Sequence, residues 1–425
     1  MRILKLGSIG PGVEFLQLAL ERARFYTGDT DGIFGTATDG ALRAFQRRYG
    51  LVPDGVCGAA THKRLMPWYT GFLLHRVQRG DSLASVARLY GAALPALLAA
   101  NPGYTPENLP LGAELTVPLP FQLVPETISC FSFLLECCVK GLSARYPFLV
   151  SGSIGKSAMG KPLWFLRFGQ GENRVLYNAA HHANEWICTL VLLKFTEQLC
   201  AAYAVDGLIN GQSARELFNY ASVYLVPAVN PDGMDLSTGE LQQGSYYSRA
   251  LELSRRYPQY PFPSGWKANL QGIDLNLQYP AGWEQARENK FAQGIVSPSP
   301  GDFVGDYPLQ APESLAMYDY TLRLRPALVL AYHTQGQVIY WRYLDYEIPG
   351  AAEIAAAFSQ ASGYTAEDTP YASGFAGYKD WFIKDFRRPG FTVEAGLGQN
   401  PLPISQFPHI YRDNLGILTL AALVT

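Results

Sequence analysis

Apolar residues change their spacing along this chain in a way that divides it. Near the N-terminus they recur at helical intervals: Val13, Leu16 and Leu20 share one face, and Ala41, Leu42 and Phe45 form a second stripe. Thr36 with Asp39 three residues on reads as a capping box, and Gly50 ends the helix that follows. GDTDGIFG, between the stripes, is a turn rich in glycine and aspartate. Residues 1–70 are therefore expected to form a small three-helix domain. Over residues 73–120 the order becomes strand, helix, helix, strand. HRVQRGDSLASVARLYG supplies a strand and a helix that starts at Asp81 or Ser82 and stops at Gly91. ALLAANPG supplies a second helix, and LPLGAELTVPLP returns as a strand. Pro118, Pro120 and Pro125 mark a linker. In residues 125–425, short apolar runs such as RVLYNAA, ASVYLVPAVN, ALVLAYH and GFTVEAG alternate with helical patterns such as WICTLVLLKFTEQLCAAYA. That alternation predicts an α/β fold around a mainly parallel or mixed sheet, with chemistry where loops leave the carboxyl ends of the strands.

Composition narrows the field. At 425 residues the chain is long enough for two to four domains, and 48% hydrophobic against 16% charged residues predicts folded cores. The formal net charge is −2 and no long basic run occurs, so nucleic-acid binding has no electrostatic footprint and none is expected. Aromatics are plentiful (26 Tyr, 22 Phe, 7 Trp), which favours recognition of sugars or peptides. The six cysteines form no CxxC pair, so free, partly buried thiols in a reducing compartment are expected. No signal peptide is visible, and no stretch approaches the roughly 20 apolar residues of a membrane span.

The chemistry-bearing residues are few. Of six histidines, two are adjacent in AAHHANEW. A histidine and a carboxylate three residues apart at a strand-to-helix turn can converge on one ion, and catalytic zinc takes three protein ligands of this kind plus water. His182 and Glu185 have that spacing; His181 is the alternative histidine. A third ligand and a base must come from elsewhere. His333 ends the apolar run LVLAYH and Glu394 ends FTVE, each at the end of a predicted strand. His409 reads as a surface or packing residue, and Asn230-Pro231-Asp232-Gly233 as a turn.

HANEW, VNPDG, GIDLN, AYHTQ and FTVEAG follow, in order, the motifs of the zinc carboxypeptidase family, and the chain resembles that family across residues 125–425. The resemblance implies one Zn2+ per chain, held by His182, Glu185 and His333. It implies that Asp274 orients the first histidine and Glu394 is the general base. Lys267 stands where the family usually has an oxyanion-stabilising arginine. Tyr371 resembles the family's mobile tyrosine, with its spacing off by one. GDTDGIFGTATDGALRAFQ resembles a peptidoglycan-binding domain, and Gly80-Asp81-Ser82, Asn101-Pro102 and Leu115-Thr116-Val117-Pro118 resemble a LysM domain that binds N-acetylglucosamine-containing glycans.

Carboxypeptidases of the family grip a terminal carboxylate with an arginine after the asparagine of DxNR. Here the sequence is Asp274-Leu275-Asn276-Leu277, and Leu277 carries no charge while Asn276 remains a hydrogen-bond donor. That departure, with the wall-binding modules, resembles the γ-D-glutamyl-diaminopimelate endopeptidases of sporulating bacilli. The implied partners are peptidoglycan glycan strands and stem peptides. Asp380 would pair with the side-chain amino group of diaminopimelate, and Lys379 or Arg342 with its carboxylate. The expected location is the cytoplasm, in a mother cell or spore, or the extracellular wall if a leader is removed. The rival readings are a carboxypeptidase acting on ordinary peptides, with Arg342 as clamp, and a non-catalytic wall-binding protein.

Overall fold

The computed structural model describes residues 2–105 and 107–424. Helices α1 (Pro11–Arg22), α2 (Thr36–Arg48) and α3 (Ala59–Thr70) form the first unit. It is built on a repeat. Asp31-Gly32-Ile33 and Asp54-Gly55-Val56 are matching turns, each folded around one glutamine amide. Gln17 Nε2 donates to Asp31 and Thr38 while its Oε1 accepts from Gly32 N; Gln46 does the same with Asp54, Thr61 and Gly55. Gly32 and Gly55 both have positive φ, which explains the glycine in each turn. The predicted Thr36/Asp39 capping box does not form. Gly35 is the N-cap of α2 without a side-chain bond, and Asp39 instead takes a hydrogen bond from Arg43 one turn on.

The second unit pairs β1 (Phe72–Arg76) antiparallel with β2 (Glu114–Pro118), with α4 (Leu83–Tyr90) and α5 (Leu94–Ala100) between. Ser82, not Asp81, caps α4, through a reciprocal box with Ser85. Asp81 is occupied instead by Gln78 N–H and His75. Asn101 is buried and ties α5 to β2 through bonds to Leu97 O and both backbone groups of Thr116.

The large unit holds an eight-stranded mixed sheet. Its strands are β3 (Val150–Lys156), β4 (Pro162–Phe168), β5 (Asn173–Ala179), β8 (Ala221–Val226), β9 (Leu328–His333), β10 (Val338–Tyr340), β11 (Thr365–Glu367) and β12 (Gly390–Glu394). A separate two-stranded hairpin is formed by β6 (Leu208–Ile209) and β7 (Gln212–Ser213). The order across the sheet is β11-β10-β12-β9-β5-β8-β4-β3, with β12, β9, β5 and β8 mutually parallel in the centre. Helices cover both faces, so the central strands read as unbroken apolar runs. Alternation is still there: Val175, Tyr177 and Ala179 enter the core under α7 (Ile187–Ala204), whereas Leu176, Val329 and Ala331 enter the opposite core with Trp381 and Phe382. By length and composition alone Ala183–Ala204 is apolar enough to cross a membrane, but 72% of its most apolar window is buried inside the protein.

The proline-rich segment after β2 is clamped rather than loose. Arg22 of α1 donates to the carbonyls of Trp68, Gln122 and Leu123. Arg145, at the end of α6 (Ser132–Arg145), donates to those of Gly71, Leu119 and Phe121. Glu197 of α7 accepts from Leu123 N and Val124 N. Leu16, Leu20, Phe45 and Tyr69 share one hydrophobic core with Phe131, Leu134, Leu135 and Val139 of the large unit, and Phe15 packs edge-on against Phe131. All six cysteines are free and buried.

Glu240 sits on this junction, accepting from Gly12 N with Arg2 at 4.0 Å. Burial, then nearby Asp235, pushes its carboxyl up to about 7. A raised carboxyl favours the folded state most when protonated, so the folded state loses stability as pH climbs from the unfolded value of about 4.5 through 7. Glu240→Gln keeps an acceptor for Gly12 N and removes the charge. The variant should therefore gain roughly 2 kcal/mol over the wild type at pH 8 and little at pH 4.5, measured by thermal unfolding at both pH values. An equal difference at the two would show that ionisation at this junction is not the cause.

Candidate metal centre

The site stands where three adjacent parallel strands end. β5 is followed by Ala180, in the left-handed region at φ 53°, which turns the chain so that His181 and His182 leave the sheet. His182 opens the single 3-10 turn Ala183–Glu185, and this brings its Nδ1 within 3.0 Å of Glu185 Oε1. β9 ends on His333, whose Nδ1 is 2.9 Å from Glu185 Oε2 and 3.1 Å from His182 Nδ1. β12 pairs in register with β9, placing Glu394 opposite His333.

These distances test whether zinc fits. Bonds of about 2.0–2.1 Å to a tetrahedral ion put neighbouring donors roughly 3.3 Å apart. The three buried residues approach one another within 2.9–3.1 Å, Glu185 meeting His182 through Oε1 and His333 through Oε2. Asp274 Oδ1 lies 3.2 Å from His182 Nε2 and takes its hydrogen, which leaves the Nδ1 lone pair facing the cluster. Two imidazole Nδ1 atoms facing each other at 3.1 Å cannot both carry protons, and an ion between them removes that conflict. The donor set and the orientation fit zinc. His181 is not part of it: it is buried, bonds Tyr279 through Nε2, and is held well below the usual imidazole range by burial and by His333.

Asp274 is a hub. Fully buried, it caps the turn Leu275–Leu277, and its Oδ2 accepts from Asp302 N and lies 3.5 Å from Lys267 Nζ. Burial works against its charge, but Lys267 and His182 outweigh burial and hold the carboxyl well below the usual range. Burial likewise works against the Lys267 ammonium, which Asp274 and Asp302 hold above its ordinary value. Burial lowers His182, yet Glu185 and Asp274 together lift it to about 9. Burial, then Glu185, pushes Glu394 up to about 8.

A cavity of about 190 Å³ opens on this group and is lined by His182, Lys267, Asp274, Asn276, Leu277, Lys379, Asp380 and Glu394. Asn276 turns its Oδ1 to Tyr378 N. Two of the expected residues are elsewhere. Arg342 is drawn to Asp368 at 3.2 Å, lies over Trp341, and lines a separate groove. Tyr371 is 67% exposed on that same groove, edge-on to Phe375. His409 is exposed, as expected. Asn230-Pro231-Asp232-Gly233 is more than a turn. Asn230 is the N-cap of a buried helix, Pro231–Ser237, and donates to His181 O and Ala268 O, locking the chain beside the histidines.

Sequence reading missed Asn400, whose amide reaches Glu185, and Lys290 with Asp302 on the cavity wall. None lies in a periodic run or at motif spacing. Asn400 reaches the site only because the chain after β12 loops back.

A buried His-Glu-His group at the ends of parallel strands, with a carboxylate beside it, defines a metallopeptidase of α/β architecture. Comparison with known proteins agrees. Residues 135–416 match the zinc carboxypeptidase family, residues 9–65 a peptidoglycan binding domain and residues 75–118 a LysM domain. The chain is 43% identical over 280 residues to gamma-D-glutamyl-L-diamino acid endopeptidase 1 of Lysinibacillus sphaericus, covering 66% of this chain and 68% of that one. It is 42% identical over 284 residues to the protein YqgT of Bacillus subtilis, covering 66% and 73%. The fold matches that of thrombin-activatable fibrinolysis inhibitor with a TM-score of 0.54 at 16% identity, over 77% of this chain and 94% of that one. The chain belongs to the zinc carboxypeptidase family.

Metal analysis of purified variants checks the ligand set. His182→Ala should carry no zinc after dialysis, and Asp274→Ala should bind it roughly 10–100-fold more weakly. A His182→Ala protein that retains full zinc would remove this residue from the site.

Proposed function

We propose that this protein is a zinc metallopeptidase that hydrolyses the γ-D-glutamyl-meso-diaminopimelate bond of peptidoglycan stem peptides. His182, Glu185 and His333 would hold one zinc ion per chain. The observation that carries the chemistry is the convergence of these three residues, whose nearest ligand atoms lie 2.9–3.1 Å apart pair by pair, with Glu394 in register beside them. Zinc bound there supplies Lewis acidity and a nucleophilic water near neutral pH. Glu394, on the cavity wall, accepts the proton of the attacking water and returns it to the leaving amine. Burial and Glu185 hold its carboxyl up to about 8, and the charge of an ion bound beside it would favour its ionised form. Lys267 keeps its charge through Asp274 and faces the oxyanion as a point charge. Asp274 fixes the ring of His182.

The substrate follows from what the cavity offers. Lys267 stands by Asp274, Lys290 donates to Asp302, and Lys379 is 2.6 Å from Asp380. Among the described residues each of these cavity cations already has a carboxylate and Leu277 adds none, so the cavity holds no cation dedicated to a terminal carboxylate, and the carboxylates of diaminopimelate would share the paired lysines. Arg342, turned to Asp368, does not supply one either. Lys379 Nζ is further committed to Arg342 O and Thr369 Oγ1. Asp380 Oδ1, buried and 2.6 Å from Nζ, receives no well-directed hydrogen bond. Asp380 is a cavity carboxylate, and the side-chain ammonium of diaminopimelate would be drawn to it beside Lys379. The relative named for cleavage at a γ-D-glutamyl-L-diamino acid bond, the peptidoglycan binding domain and the LysM domain support the same substrate.

Two measurements test this reading. L-Ala-γ-D-Glu-meso-diaminopimelate should yield Ala-Glu and free diaminopimelate by mass spectrometry, with hippuryl carboxypeptidase substrates turned over poorly; an intact tripeptide beside rapid C-terminal trimming of ordinary peptides would defeat the endopeptidase assignment. Separately, zinc-loaded Glu394→Gln should bind substrate normally and lose at least roughly 10²–10⁴ in kcat. Near-normal turnover would take Glu394 out of the mechanism.

A further inference from the structure

Asn400 lies in the segment that follows β12 and returns to the metal ligands. Its Nδ2 is 2.8 Å from Thr334 O and 3.3 Å from Glu185 Oε1, and its Oδ1 accepts from Thr334 Oγ1 at 2.7 Å. The orientation of the amide is fixed by chemistry. A backbone carbonyl only accepts, so the atom facing Thr334 O must be the nitrogen. Its second hydrogen is then free for Glu185. Thr334 directly follows His333, so one side chain joins three ligand-bearing or base-bearing segments: the turn after β5, the end of β9 and the chain beyond Glu394.

We infer that Asn400 is a positioning residue for the metal centre, acting through Glu185. The inference rests on the zinc site proposed above. Among the described residues, the side chain of Glu185 has three hydrogen-bonding neighbours: His182 Nδ1, His333 Nδ1 and Asn400 Nδ2. When both imidazole nitrogens give their lone pairs to an ion, neither has a hydrogen for the carboxylate. Asn400 is then the donor left to hold Glu185, and it holds the oxygen nearer His182. Without it the carboxylate is free to rotate away from the geometry that two strands and a turn impose on the other ligands. Thr334 is the brace that keeps the amide from turning over.

The test is zinc affinity of the full chain, measured by chelator competition, with the visible spectrum of the cobalt(II)-substituted protein reporting ligand geometry. Asn400→Ala should raise the zinc Kd by roughly 10–100-fold and change the cobalt spectrum, with kcat reduced more than KM is changed. Thr334→Val, which removes only the brace, should shift the Kd the same way by less. If wild type and Asn400→Ala bind zinc equally and share a cobalt spectrum, the inference is overturned while the zinc site stands. If Asn400→Ala fails to fold, Thr334→Val decides: an unchanged Kd overturns the inference. If the wild type itself binds no zinc, the site reading fails and takes this inference with it.

Discussion

The parallel pairing of β5, β9 and β12 is the constraint on which the site depends. Parallel neighbours run level, so residues that end their apolar runs at the same height emerge side by side: His181 and His182 after β5, His333 on β9, Glu394 on β12. The register is held by burial on both faces. A slip of one residue would move Val175, Tyr177 and Ala179 out of one core and into the other, and the same for every neighbour. The ligands are thus positioned by packing remote from them, and the turns after the strands add only local aim: the left-handed Ala180, the cap at Asn230, the hub at Asp274.

The site's electrostatics make sense as those of a place prepared for a cation. Glu185, Asp274 and Glu394 share one buried region with Lys267 and two imidazoles. Left to themselves, the groups compromise: His182 is driven to hold a proton up to about 9, and Glu394 resists losing one until about 8. Burial is the first cause at Glu394, and the crowding of carboxylates around Glu185 contributes to both shifts. A divalent ion held by His182, Glu185 and His333 would relieve it, taking the place of the proton on His182 and favouring the ionised form of Glu394. Metal uptake at such a site would release protons and make the base available in the same event.

Much of this was legible in the sequence, for reasons that differ by residue. His333 and Glu394 each end an apolar run, His182 and Glu185 stand in the turn just after one, and strand ends are where a doubly covered sheet exposes chemistry. The two small units were readable because helical stripes and caps are local, although the choice between Asp81 and Ser82 needed the competing bonds of Asp81. Thr36 failed as a cap because the glutamine-centred turn before α2 already fixes how the helix begins, and Gly35 occupies the cap. Arg342 and Tyr371 failed as cavity residues because neither periodicity nor motif order says which way a loop side chain turns; Asp368 captured the first and the neighbouring groove took the second. Asn400, Lys290 and Asp302 were invisible because their contacts are made by chain returning from afar.

The junction between the units changes how wall binding and hydrolysis are connected. Separate modules on a flexible linker raise the effective concentration of a site near a polymer but leave its direction free. Here the linker is not free. Arg22, Arg145 and Glu197 take up its backbone carbonyls and N–H groups, and Phe15, Leu16, Leu20 and Tyr69 of the first unit lie in the same core as Phe131 and Leu134 of the large one. Reorienting the first unit would expose those side chains, and fully exposing one large apolar side chain costs about 1.5–3 kcal/mol. A glycan held by the peptidoglycan binding domain would consequently stand in a set relation to the cavity. The consequence would be directional: of the stem peptides along a bound strand, those projecting toward the cavity would be the ones within reach, so the packing that joins the units would also select where on the polymer the peptidase acts.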